Sequence, residues 1–318
     1  MTEKRDKIRT LLPPFCAVLL VTAMTAAAEL SGEKEILFPE IAAIAAGAFA
    51  APKFAWNVSF PRMLLMLSAG AVLGTLTVLL PAPYAVQVCL AFLAASVMLL
   101  VSRTTFAPMI SAVVLPVMLQ TKSPVYPVSA VILSAAVIAV RLLLQACGVL
   151  QKPEYHPEPK PSQRAAADLI VRWLLGSLVI VFAILTKHNL ICAPPLLVAF
   201  TEFWKPGSAG QKKPFAVSIM IAFCAVLGAG MRELALFFGV YQFPAAGIAM
   251  TLVLLLMRRT GLYIPPAAAL AVLAFLIPER AVLLYPVLVF AGALFMTGIA
   301  SLHGKFVLLS AQSDEKNP

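Results

Sequence analysis

The stretch Arg103–Gln120, Arg-Thr-Thr-Phe-Ala-Pro-Met-Ile-Ser-Ala-Val-Val-Leu-Pro-Val-Met-Leu-Gln, is apolar enough for a bilayer but short for one, and a proline opens it. Pro108 suits a first helical turn, where its missing N–H is not needed, and Arg103 ahead of it suits an interface anchor. Pro116 is expected to kink or end the helix. Further on, Pro127 opens a longer apolar run, Val128–Leu144.

That pairing, a short segment behind one proline and a full-length segment behind another, occurs four times. The short segments open at Pro39, Pro108, Pro194 or Pro195, and Pro265 or Pro266; the long ones follow Pro61, Pro127, Pro214 and Pro286. Twelve apolar segments result: 11–30, 37–52, 62–81, 84–101, 105–120, 127–148, 165–186, 190–204, 214–231, 238–257, 261–277 and 282–302. Sixteen residues reach only about 24 Å at ~1.5 Å each, less than the roughly 30 Å hydrocarbon core, so the short segments either stop inside the membrane or sit among longer neighbours.

The composition agrees. Of 318 residues, 61% are hydrophobic and 12% charged, a balance that excludes a soluble domain. The net charge of +10 does not point to nucleic acid, because the basic residues fall in short loops between apolar runs. With the N-terminus in the cytoplasm, twelve crossings put Lys4, Arg5, Lys7, Arg9, Lys53, Arg62, Arg103, Lys152, Lys205, Lys212 and Arg258 inside with others. Only Lys34, Lys122, Lys187, Arg232 and Arg280 fall outside. That bias predicts an inner-membrane protein with both termini cytoplasmic. The five cysteines lack metal-ligand spacing and read as small core residues.

Gln151–Gln163, with four prolines, divides the chain and is expected to be an extended cytoplasmic tether. The expected division is a membrane repeat over 1–150, a linker over 151–164, a second repeat over 165–305 and a cytoplasmic tail over 306–318. The halves match in sequence. Ala71-Val72-Leu73-Gly74 recurs as Ala225-Val226-Leu227-Gly228, Arg103-Thr104 as Arg259-Thr260, and Tyr126-Pro127 as Tyr285-Pro286, at offsets of 154, 156 and 159 residues. Within each half the proline pattern repeats every three segments. An odd number of crossings inverts successive units. The expected fold is all-α: two six-segment repeats, each of two inverted three-helix units, an arrangement typical of secondary transporters.

Inverted units let the short helices' N-termini meet near the midplane, where free N–H groups attract an anion; short helices that merely fill the bundle are the plainer alternative. Candidate residues there are Pro39, Glu40, Thr104, Thr105, Pro108, Ser111, Pro194, Pro195, Thr201, Glu202, Thr260, Pro265 and Pro266. Glu40 and Glu202 stand out, since a carboxylate at membrane depth is costly and suits proton coupling. Alternatively, Glu40 caps its helix at the surface and Glu202 pairs with Lys205. Arg232-Glu233 reads as a surface ion pair, and Asp168 with Arg172, at i and i+4, as a helical pair. Gly70 with Gly74, and Cys224 with Gly228, form small faces for close helix approach. No Walker loop, zinc-helix motif, nucleophile elbow or carboxylate dyad is present, so neither an enzyme nor a cofactor is expected.

Pro39, Ala51-Pro52, Asn57-Val58, Pro61-Arg62, Gly70, Gly74, Arg103-Thr104 and Pro108 together resemble the pattern of the HPP family of integral membrane proteins. The likeness covers roughly 37–145 and recurs more weakly over 190–302. It departs at the motif itself: Phe106-Ala107-Pro108 stands where the family has His-Pro-Pro, and Tyr263-Ile264-Pro265-Pro266 keeps only the prolines. Members have been linked to nitrite transport, so the resemblance implies a small-anion transporter.

The expected activity is alternating-access transport of a small, anionic solute, driven by an ion gradient or passive. Expected partners are that solute, the lipid bilayer and a coupling proton or ion; a homo-oligomer is compatible with the sequence. A channel and a non-transporting scaffold subunit are the alternatives.

Overall fold

In a computed structural model the chain is all-α, and residues 2–316 are described, with side chains from Arg9 to Val307. The basic cluster Lys4, Arg5 and Lys7 and the polar end of the tail lie outside the described side chains. Among the described residues, eight helices are long and apolar enough to cross a membrane: α1 (Thr2–Ser31), α3 (Phe60–Thr77), α4 (Tyr84–Ser102), α6 (Val125–Ala146), α7 (Gln163–Leu185), α10 (Pro214–Phe237), α11 (Gln242–Thr260) and α14 (Tyr285–Lys316). They fit a multi-pass membrane protein. Less than half of each apolar stretch is buried inside the protein. The outward faces carry Leu65, Leu143, Leu178, Leu185 and Phe237, a surface suited to lipid.

Between the long helices run four short ones: α2 (Glu40–Ala45, extended by a π-helical turn Ala46–Ala50), α5 (Met109–Leu119), α8 (Pro194–Phe203) and α12 (Pro265–Leu273). At ~1.5 Å per residue they measure roughly 14 to 17 Å, about half a ~30 Å hydrocarbon core. Nearly every residue in them is buried. They form the centre: α2 packs on α12, α12 on α8 and α8 on α5. Two short pieces, α9 (Ala209–Lys212) and α13 (Glu279–Val282), lie in connections.

Around this centre the contacts run in parallel. α3 packs on α5 and α6 as α10 packs on α12 and α14, and α4 packs on α7 as α1 packs on α11. Two close approaches follow the same plan. A Cβ on Gly74 would collide with the Val113 carbonyl of α5, and one on Gly228 with the Ala271 carbonyl of α12. These glycines let long and short helices touch backbone to backbone.

Helix ends are set locally. α4 stops at Arg103 and α5 at Gln120, both left-handed (φ 55° and 54°), and α11 stops at Gly261 (φ 69°). Such residues close a helix by turning the chain out of it. Pro116 does not end α5: the helix continues to Leu119. Pro116 has no N–H to return to the Ala112 carbonyl, and the Tyr126 hydroxyl donates there instead at 3.2 Å.

The linker is not a free tether. Arg103 Nε donates to the Glu158 carbonyl at 2.6 Å, and the Glu158 amide returns a bond to the Arg103 carbonyl at 3.0 Å. The His156 amide donates to Asn57 Oδ1 (3.1 Å), Asn57 Nδ2 donates to Glu158 Oε1 (3.0 Å), and Arg62 donates to the Tyr155 hydroxyl (2.6 Å). Polarity alone suggests a solvated strand of chain; a matching row of donors and acceptors on the bundle holds it down.

Candidate functional site

The N-termini of α2 and α5 come together in the core. Pro39 caps α2 and Pro108 caps α5, both with helical backbone angles. Glu40, the first residue of α2, lies beside Ser111 in the first turn of α5, and both side chains are buried. Glu40 is 0% exposed. Neither of its carboxyl oxygens meets a donor at hydrogen-bonding geometry. It does not cap a helix at the surface, the plainer of the two expectations. The opening prolines of α8 and α12, Pro194 with Pro195 and Pro265 with Pro266, are also buried.

The first-turn amides of these helices are already engaged. Ile41 and Ala42 donate to the Phe38 and Pro39 carbonyls, Ile110 and Ser111 to Ala107 and Pro108, Leu196 and Leu197 to Ala193, and Ala267 to Ile264. In α8 and α12 the first two residues are prolines without an N–H. The free donors expected to meet an anion are therefore largely taken or missing in this conformation.

Three of the candidate hydroxyls serve the fold. Thr201 donates back to the Leu197 carbonyl (3.0 Å), and Thr260 donates to Leu256 (2.8 Å) at an exposed helix end, away from the core. Thr104 is buried against Met66 and Ser102. Thr105 acts at a joint. Its hydroxyl accepts from the Asn57 amide (2.8 Å) and its own amide donates to the Asn57 carbonyl (3.3 Å), tying the chain after α2 to the chain before α5.

Next to that joint a cleft of about 490 Å³ opens at the end of the bundle where the linker lies. Lys53, Phe54, Trp56, Glu202, Lys205, Tyr263 and Pro265 line it. It gathers the chain after α2, the end of α8 and the start of α12. Glu202 Oε1 accepts a hydrogen bond from the Trp56 indole at 2.8 Å. Lys205 lines the same cleft and interacts with Glu202 electrostatically without an ion pair within 4 Å, while Trp56 takes the hydrogen bond. Trp56 in turn meets Phe106 edge-on, with ring centroids 5.3 Å apart.

Two arginines turn inward, Arg232 among them in place of the expected surface ion pair. Arg232 is 4% exposed, and its Nη1 donates to the Ala274 and Ile277 carbonyls (2.5 and 2.6 Å) just beyond the C-terminus of α12. Arg141 donates to the Ala48 carbonyl in the π turn after α2, with its guanidinium 4.7 Å from the Phe54 ring centroid. Cations suit these sites, because helix C-termini carry unpaired carbonyls and partial negative charge. Asp168 accepts from the Trp204 indole (2.8 Å) and faces His303 (3.3 Å); Arg172 acts on it electrostatically but makes no ion pair within 4 Å.

Among the described residues no group of three His, Cys, Asp or Glu side chains is placed to hold a metal ion. Trp56, Arg141, Arg232 and Tyr263 carry no motif, so spacing gave no signal for them. Compared with family models, with curated proteins and with solved structures, the chain shows no significant match.

Proposed function

We propose that this protein is a secondary transporter of a small anionic solute, built as two six-segment halves of paired inverted three-helix units. The observation that carries this reading is the set of four half-length helices buried at the centre and packed on one another, with the α2 and α5 N-termini meeting at Glu40 and Ser111. Half-length helices that end inside a bundle frame a solute site in many transporters. The parallel contacts around α5 and α12, and the matched Gly74 and Gly228 approaches, support the duplication. The cleft beside Trp56 is the solute's entry. Lys53 and Lys205 set two ammonium groups against the single Glu202 carboxylate there, a balance that attracts anions.

The resemblance to the HPP family supports the same solute class and makes nitrite the first probe. By the positive-inside rule, the linker end of the bundle, with Lys53, Arg62, Arg103, Lys205 and Arg258, faces the cytoplasm of an inner membrane. A closed core around Glu40 favours a carrier that rocks between states over an open channel. Purified protein in liposomes should take up nitrite in a saturable manner. Fast, unsaturable flux would make it a channel, and no flux of any small anion would leave the scaffold reading.

A further inference from the structure

We infer that Glu40 is a proton-carrying site that couples proton movement to solute movement, an inference that rests on the transporter reading above. The side chain is fully buried, and neither oxygen has a donor at full hydrogen-bonding geometry, although the Ser111 hydroxyl lies beside them. A bare carboxylate in such surroundings is strongly disfavoured, so its charge must be cancelled by something.

The groups on the elements packed around it do not cancel it. α12 carries no charged residue over Pro265–Leu273. On α1, Glu29 accepts from the Gln242 and Phe243 amides. On α6, Arg141 is engaged at Ala48, at the other end of the short helix, and the Tyr126 hydroxyl is committed to Ala112. On α5 the Ser111 hydroxyl faces Glu40, a neutral group that can donate a hydrogen bond but cannot cancel a charge. The remaining charged neighbour, Glu202 of α8, is itself a carboxylate and adds repulsion.

A metal ion does not fit, because six or so oxygen ligands are needed for a hard cation and, among the described residues, no group of three His, Cys, Asp or Glu side chains is placed to hold one. A proton needs no further ligand. Glu202, which lines the open cleft and lies close enough to feel the Glu40 charge, is the station through which the proton passes to and from water. The coupling follows from charge. An anion is repelled from the α2–α5 junction while Glu40 is ionised and admitted once it is neutral, so proton and anion move in the same direction.

Infrared difference spectra of the full-length protein in liposomes test the proton directly, without any solute. Wild type at neutral pH should show a C=O stretch from a protonated carboxyl that is lost in Glu40→Gln; absence of that band in wild type overturns the inference. In the nitrite assay, an inward acid gradient should speed wild-type uptake several-fold and leave Glu40→Gln uptake unchanged. A Glu40→Gln protein that still responds to the gradient also overturns the inference. If nitrite does not move at all, the transporter reading fails for that anion while the infrared band still reports on Glu40.

Discussion

The phenol of Tyr126 donates to the Ala112 carbonyl at 3.2 Å, and the phenol of Tyr285 likewise donates to the Leu270 carbonyl at 2.6 Å. Both tyrosines are fully buried near the start of a long helix, and each bonds to a carbonyl within a short one. In α5 the bond answers the vacancy left by Pro116; in α12 it ties the helix near its end.

Tyr126→Phe and Tyr285→Phe should each lower stability by about 1 to 3 kcal/mol, since each leaves a carbonyl without its donor in a dry core. Thermal unfolding of the detergent-solubilised protein reads this. Two variants indistinguishable from wild type would mean these bonds add nothing.

The glycine contacts make a sharper demand. Gly74→Ala and Gly228→Ala each drive a methyl into a backbone carbonyl, which cannot move aside as a flexible side chain would. A loss of about 1 to 3 kcal/mol, or failure to fold, is expected for both. Gly230→Ala and Gly298→Ala, where the new methyl meets open space, should be neutral or gain up to about 1 kcal/mol from helix propensity. If all four behave alike, close approach at the short helices is not what those two positions are for.

Arg232→Met removes both donors from the Ala274 and Ile277 carbonyls and should cost about 3 kcal/mol, with Arg232→Lys recovering part. A surface arginine would tolerate either change within about 0.5 kcal/mol, so the size of the melting shift separates the two positions.

Asn57 holds the linker by both ends of its amide. Asn57→Ala should leave the fold intact and expose the bond after Glu154 to a glutamate-specific protease. Trypsin is the poorer probe, because Lys152 and Lys160 both precede proline and Arg164 already lies in the first turn of α7. Equal cleavage rates in wild type and variant would show that the linker is held elsewhere.

The alternation of long and short helices was legible in the chain because its signals are local: run length, and a proline at each opening. Pro39, Pro108, Pro194 and Pro265 mark the four short helices to within a residue. The pairing of Tyr126 with Tyr285 also showed as a repeated Tyr-Pro, though its bond to a carbonyl did not. What could not be read was competition between distant partners. Asp168 and Arg172 have ideal helical spacing, yet Trp204 and His303 offer Asp168 a pair of contacts that spacing cannot reveal. Glu202 stands three residues from Lys205 and binds an indole 146 positions away. Arg232 looked external because it follows the apolar run 214–231, but α10 continues to Phe237, and the carbonyls just beyond α12 that draw it inward lie 42 and 45 residues on.

The contact between α1 and α11 bears on how the chain is made. About 210 residues separate the end of α1 from the start of α11, so at ~5–20 residues per second a ribosome takes roughly 10 to 40 s to deliver the second after the first. For that interval α1 waits in the bilayer with lipid in place of its neighbour, and the enclosing wall of the bundle closes only as synthesis nears its end. Insertion factors that shelter lone helices should therefore matter more for this protein than for one whose helices dock in the order they emerge.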